Sequence, residues 1–283
     1  MGKERVLEEM ARRGVDVLLL GREGNARYVS GARRLFLAGE RAFAPGCVVV
    51  RESAEVHLLS NTDFGIPQEN PHENLYPTSW NPATLVARVL AIPGVAQAKT
   101  IGVDGLTPLF EALLPNDELV DGEAIMRTAR RIKTPDEVDL IRAAATVANT
   151  MMTAALDAVA AGKPVKAVAM EAMASHGVTT AAFEPRVDRD GDRVTVAVGV
   201  LRDGWEADLT RSTPHAANEA IAGCRAGVAV AELGPDVHGV GLGYEVLSPA
   251  DVLEAGMVLS IGVHGARDTV FVTERGAPDV LTM

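Results

Sequence analysis

The sequence predicts two domains of different class: an α/β domain with a mixed sheet over residues 1–130, and an α+β domain of two helices and several β-hairpins over residues 131–283. Three observations carry this division. Helical and strand-like segments alternate in the first half, and the second half opens on one long capped helix. From Val194 onward the pattern changes to period-two alternation broken by glycine-containing turns.

In chain order, a charged amphipathic helix from Lys3 to Arg13 stops at Gly14, a residue suited to the left-handed position after a helix, and leads into the apolar strand Val15–Leu20. Two further runs, GCVVVR and EVHLLS, are separated by a short polar turn and read as an antiparallel hairpin. A helix over Pro82–Leu90, a strand over Thr100–Val103 and a helix over Leu106–Leu114 complete the first domain. The boundary falls in RRIKTPDEVDLIRAAATVAN. There Thr134 is placed to cap a helix, Pro135 suits its first turn, and Glu137 completes a capping box. Val138, Ile141, Ala145, Ala148, Met152 and Leu156 then draw one helical stripe, which runs to about Ala161. A second helix follows over Pro164–His176, and one short helix near Asn218–Cys224 interrupts the hairpins.

The segment VTVAVGVLRDGWEADLTRSTP is the most informative of these. Val194, Val196, Val198 and Val200 alternate with Thr195, Ala197 and Gly199, so one face is buried and the other is small or polar. Asp203-Gly204 suits a two-residue turn, which sets Gly199 opposite Asp208 and Ala197 diagonally beside it. Glu206 and Thr210 share the face of Asp208. Carboxylates at both 197 and 208 would bracket a cation from adjacent strands, but only Asp208 is there.

Composition narrows the function classes. The 283 residues are 47% hydrophobic and 23% charged, as in a globular protein, and the formal net charge of −11 argues against nucleic acid or an anionic membrane as partner. The two cysteines, Cys47 and Cys224, build neither a disulfide framework nor a CxxC metal site. The N-terminal segment MGKERVLEEMARRG lacks the apolar core of a signal peptide, and no apolar stretch approaches membrane-spanning length, so a cytoplasmic location is expected.

The hairpin GDRVTVAVGVLRDGWEADLTRS resembles the metal-binding hairpin of the M24 family, which comprises methionine aminopeptidase, aminopeptidase P, prolidase and creatinase. HGVGLGYE is similar to that family's HGIGL segment, and LEAGMVLSIGVHGARDTVFVTERGAPDVLT to its closing TIEPG and RIEDTV segments. RRIKTPDEVDLIRAAA and the α/β first half match the two-domain branch of creatinase, prolidase and aminopeptidase P. The resemblance implies a creatinase-like N-terminal domain and a pita-bread fold for the C-terminal domain. In the family's peptidases it also implies two divalent metals held by two aspartates, a histidine and two glutamates. Those five positions fall here on Ala197, Asp208, His238, Gly262 and Arg267. One carboxylate and one imidazole are too few for a two-metal site, and Arg267 adds a permanent positive charge, so no metal and no other cofactor is expected. The family's proton-transfer histidine, carried by an excursion before the hairpin, has no counterpart in RVDRD, so creatinase chemistry is not inherited either.

The expected site therefore rests on other residues. Asp208 and Arg267 are expected to form a salt bridge in place of metal. His238 and Asp208 are the candidate catalytic groups, and Arg267 and His264 the candidate substrate-binding groups on the same face. In the N-terminal domain the loop NPHENLYPTSWNP offers His72 and Trp80, and GARRLFLAGERAFAPG offers Arg33 with Arg34 and Arg41. Relatives place this domain against the active site of a dimer mate, so a homodimer is expected and His72, Trp80 or Arg33 would line the ligand site across it. Three readings stand: a metal-independent protein binding and converting a small carboxylate-bearing molecule, a non-catalytic scaffold or partner-binding pseudoenzyme, and a metal-dependent Xaa-Pro peptidase with displaced ligands.

Overall fold

The structure, a computed structural model, describes residues 2–33, 45–114, 119–263 and 265–283, in two units, Met1–Arg130 and Arg131–Met283. In the first, α1 (Gly2–Arg13) buries Val6 and Met10 one turn apart, while Glu9 pairs with both arginines of the last turn. β1 (Val17–Leu20) is buried at every position because it is central. It pairs antiparallel with β2 (Cys47–Val50), which continues antiparallel to β3 (Glu55–Leu59), so the GCVVVR and EVHLLS segments form the hairpin their pattern indicates. On its other side β1 runs parallel to β5 (Ile101–Asp104). With β4 (Leu75–Tyr76) and β6 (Leu119–Asp121) at the edges, the mixed sheet has the order β4-β3-β2-β1-β5-β6.

Helix α2 (Glu23–Ser30) was not expected from the sequence, because its cap comes from far away. Arg22 at the cap position offers no side-chain acceptor. Instead Asp104, at the end of β5, accepts from Gly21 N, from Arg22 N at 3.2 Å and from Asn25 Nδ2 at 2.5 Å. Burial pushes the Asp104 carboxyl up to about 6, against the pull of these donors. Helix α3 (Pro82–Leu90) is capped by Asn81, as its local sequence indicates. The expected helix over Leu106–Leu114 is corrected: α4 covers only Pro108–Glu111, a single turn started by Thr107. Helix α5 (Gly122–Arg131) closes the unit and buries Ile125, Met126 and Ala129.

The second unit opens with α6 (Pro135–Ala160). Its capping box is present in full, with Glu137 N donating to Thr134 Oγ1 at 3.2 Å and Thr134 N to Glu137 Oε2 at 2.8 Å. Helix α7 (Val165–Ser175) packs beside it. The antiparallel meander β7 (Ala181–Asp190), β8 (Arg193–Arg202) and β9 (Trp205–Thr213) follows. Five shorter strands complete the unit: β10 (Val237–Gly241), β11 (Gly243–Glu245), β12 (Val258–Val263), β13 (Ala266–Phe271) and β14 (Asp279–Val280). The eight-stranded sheet runs β11-β10-β12-β13-β9-β8-β7, with β14 beside β13. Two short 3₁₀ helices, Glu219–Gly223 and Val230–Leu233, lie in the connection before β10.

Alternation then sorts the faces of this sheet. Val196, Val198, Val200, Ala207 and Leu209 turn toward α6 and α7 and form one core with Ala148, Met151, Met152 and Met173. Leu259, Ile261, Val270 and Val272 form a second core with Cys224, Val230, Leu233, Leu253 and Met257. The opposite face carries Thr195, Ala197, Gly199, Glu206, Asp208 and Thr210 together with Ser260, Arg267 and Thr269. Among the described residues no helix is long and apolar enough to cross a membrane.

Candidate functional site

The β8–β9 register places Gly199 opposite Asp208 and Ala197 opposite Thr210, which in turn pairs with Arg267 on β13. Asp208 is almost wholly buried. Its backbone N–H donates to Thr269 Oγ1 at 3.0 Å, and that hydroxyl donates back to Asp208 O at 2.9 Å. Ser260 Oγ donates to Asp208 Oδ2 at 2.9 Å and accepts from Arg267 Nη1 at 2.9 Å. The direct approach of the two charges, Arg267 Nε to Asp208 Oδ2, is 3.9 Å. The expected salt bridge thus exists as a charge contact, but its hydrogen bonds are routed through Ser260. On its outer side Arg267 Nη2 lies 3.8 Å from Asp236 Oδ2, a side chain that is 75% exposed.

His238 stands on β10 opposite Ser260, and its ring stacks on Tyr244 of β11 with centroids 4.4 Å apart. Its Nε2 is buried and has no hydrogen-bond partner among the described residues. Burial holds this imidazole below its ordinary range, opposed by Asp208, reinforced by Arg267 and opposed again by Asp236. At neutral pH His238 is therefore uncharged, a hydrogen-bonding group rather than a cation.

The sequence reading omitted several residues of this face from the site. Glu206, two residues before Asp208 on β9, is buried and makes no hydrogen bond or ion pair among the described residues. Burial first, then the charges of Asp208 and Glu245, push its carboxyl up to about 8, so it is mostly protonated at neutral pH. Glu245 is held by Lys133 Nζ at 2.6 Å, a buried ion pair that joins β11 to the segment before α6. The glycines of HGVG make room for it: a Cβ on Gly241 would fall 2.2 Å from Glu245 Oε1. Alternation already put Glu206 on the face of Asp208. No local signal marks Ser260, Asp236, Tyr244 or Lys133, because each joins the site only through strand pairing.

Asp208, His238 and Arg267 are thus brought together in the second unit. His264 lies outside the described residues, as do Arg34 and Arg41. His72, Trp80 and Arg33 belong to the first unit. His72 bonds Asp63 Oδ1 through Nδ1 at 2.8 Å, with both side chains largely exposed, and this contact raises its imidazole above the ordinary range. Trp80 is exposed just before α3, and Arg33 is exposed while its backbone N–H bonds Gly65 O at 2.9 Å.

The donor set does not fit the two metals of the family's peptidases. Ala197 and Gly262 bring no ligand, Arg267 brings a cation, and the carboxylate of Asp208 is already engaged with Ser260 and faces that guanidinium. Among the described residues no group of three or more His, Cys, Asp and Glu side chains could hold a metal ion.

Comparison with known proteins agrees with this architecture. Residues 3–132 match the creatinase/prolidase N-terminal domain family. Creatinase from Bacillus sp. (strain B-0618) is 29% identical over 211 residues, covering 71% of this chain and 47% of the creatinase, so the chain spans about half the length of the curated relative it matches. Prolidase from Pyrococcus furiosus superposes with a TM-score of 0.76 at 19% identity, covering 99% of this chain and 98% of the prolidase. Aminopeptidase P from E. coli, solved with the inhibitor Pro-Leu, superposes with a TM-score of 0.70 at 14% identity, covering 99% and 94%. A creatinase/prolidase-type N-terminal domain followed by a short pita-bread unit makes this chain similar in fold to creatinase, prolidase and aminopeptidase P.

Proposed function

We propose that this chain is an M24 member that works without a metal and binds a small carboxylate-bearing molecule on the open face of its C-terminal sheet. One observation carries the reading: three groups around Asp208 have unused hydrogen-bonding capacity. The Arg267 guanidinium makes a single hydrogen bond among the described residues, His238 Nε2 makes none, and the Glu206 carboxyl makes none. A buried polar group left without a partner costs about 1–3 kcal/mol. Two such groups, His238 Nε2 and Glu206, beside a guanidinium with free donors favour a ligand that supplies acceptor oxygens. A guanidinium, a neutral imidazole and a protonated carboxyl can all donate to a carboxylate. The exposed Asp236 is a weak competitor for the outer edge of Arg267 and is easily displaced.

If the bound molecule is converted, Asp208 and His238 are the acid–base candidates, and the reaction is a metal-independent hydrolysis or lysis. A homodimer in which the N-terminal unit of one copy supplies His72, Trp80 or Arg33 to its mate is part of the same proposal. It is motivated by the exposure of all three side chains. The second reading, a non-catalytic partner-binding protein, is favoured by the buried charge contact of Asp208, which could serve stability alone.

The test is the melting temperature of the purified protein with acetate, succinate and L-proline, repeated with Arg267→Ala and His238→Ala. A rise for the wild-type chain that both variants lose supports ligand binding, since a ligand of the native state alone stabilises it by linkage. No rise with any of the three favours the partner-binding reading.

A further inference from the structure

The β12–β13 hairpin holds a second observation about cations at this face. Gly262 pairs with Arg267 and Val263 pairs with Ala266, so only residues 264 and 265 connect the strands. A Cβ placed on Gly262 would lie 2.6 Å from Ala266 O, 2.8 Å from Arg267 Cβ and 2.9 Å from Arg267 Cα. Two of these obstacles are main-chain atoms, which cannot swing aside as a side-chain tip can. Any side chain at 262 therefore needs the hairpin to open. Arg267, fixed on the partner strand, meanwhile sends its guanidinium back to Ser260 and Asp208.

We infer that the closed hairpin and Arg267 act as one device: Arg267 is a covalently attached cation for Asp208 that takes the place of divalent metal, and Gly262 lets the strands close so tightly that restoring a carboxylate at 267 alone does not bring metal binding back. The inference rests on the metal-free reading above and goes one step beyond it. The loss of metal is not a matter of one missing ligand. Positions 262 and 267, opposite one another on the same face, cannot both carry acidic side chains on this backbone. As a resident counter-charge, Arg267 neutralises Asp208 without regard to chelators or metal supply.

Three forms of the full chain test this: wild type, Arg267→Glu and Gly262→Ala. Each is incubated with Mn²⁺ or Zn²⁺, dialysed, and measured for metal content and melting temperature, with circular dichroism reporting the fold. The expected result is far less than one metal per chain in every form. EDTA should leave the wild-type melting temperature unchanged, and Gly262→Ala should lower it by about 5 °C or more. Stoichiometric metal in the wild-type chain would overturn both the inference and the metal-free reading. Metal bound by Arg267→Glu alone would overturn the inference and leave that reading standing. An unchanged melting temperature in Gly262→Ala would show that the hairpin is not sterically closed, and this arm decides the matter by itself if Arg267→Glu does not fold.

Discussion

Successive residues of β13, Arg267 and Asp268, put opposite charges on opposite faces of one sheet, and the two faces treat them differently. Asp268 accepts from Arg211 Nη2 at 2.6 Å, from Thr282 Oγ1 at 3.0 Å and from Asn218 Nδ2 at 3.0 Å. Arg211 also donates to the carbonyls of Thr210, Arg267 and Thr282 at 2.7–2.9 Å. The charged groups on that side use their hydrogen-bonding edges, and Asn218 Oδ1 is the buried atom of this network left without a partner among the described residues. On the other face Arg267 reaches Asp208 only at 3.9 Å and through a serine, and Glu206 and His238 Nε2 lack partners among the described residues. A charge pair that ties strands together closes its hydrogen bonds. A face with open edges beside a buried charge keeps hydrogen-bonding capacity that the other face has used up.

The largest effect that would sharpen this contrast is expected from Asp268→Ala, because it removes a buried carboxylate that three side-chain donors meet and leaves the partly buried Arg211 guanidinium without its counter-charge. A loss of about 3–5 kcal/mol is expected in urea unfolding. Replacing both partners at once, as Arg211→Met with Asp268→Leu, should cost clearly less than either single change. A double variant worse than both singles would mean that the pair is not the unit described here.

Next in size is Glu206→Gln, whose effect depends on pH. The folded carboxyl titrates at about 8, against 4.5 for the ordinary group, so the native state keeps a proton that the unfolded chain has lost. Wild-type stability must therefore fall as pH rises from about 4.5 to about 8, and level off above. The glutamine variant lacks this decline. Its advantage over wild type should grow through the window toward an upper bound on the order of 5 kcal/mol. Parallel stability curves for the two proteins would show that Glu206 is not held protonated.

Arg267→Ala should be milder. It removes one hydrogen bond and a 3.9 Å charge contact on a partly solvated group, for which about 1–2 kcal/mol is reasonable, and it should abolish stabilisation by small carboxylates. A loss as large as that of Asp268→Ala would erase the distinction between the two faces. The smallest effect belongs to Asp236→Asn, within about 0.5 kcal/mol in stability because the side chain is exposed. Carboxylate titrations on this variant should show equal or tighter binding. Weaker binding would make Asp236 part of the site rather than a competitor at its rim.

Much of this was legible in the residues themselves. The capping box at Thr134 and Glu137 and the hairpin over 194–213 with Asp208 facing Gly199 both follow from local spacing. These features survive a one-dimensional reading because turn chemistry, capping and alternation act within a few residues. What the sequence could not show depended on partners far along the chain. Asp104 caps α2 from about eighty residues away, Lys133 holds Glu245 across a larger gap, and Ser260 meets both Asp208 and Arg267 only because β12 lies between β10 and β13. Nor could the sequence tell that Glu206 stays protonated or that Gly262 leaves no room for a side chain, since both depend on how closely other strands approach. The sequence by itself determined the helix cap at Thr134 and the alternation that sets Asp208 opposite Gly199. Only the tertiary structure decided the surroundings of Asp208, because burial and strand pairing, not residue identity, set the charge and the space at that face.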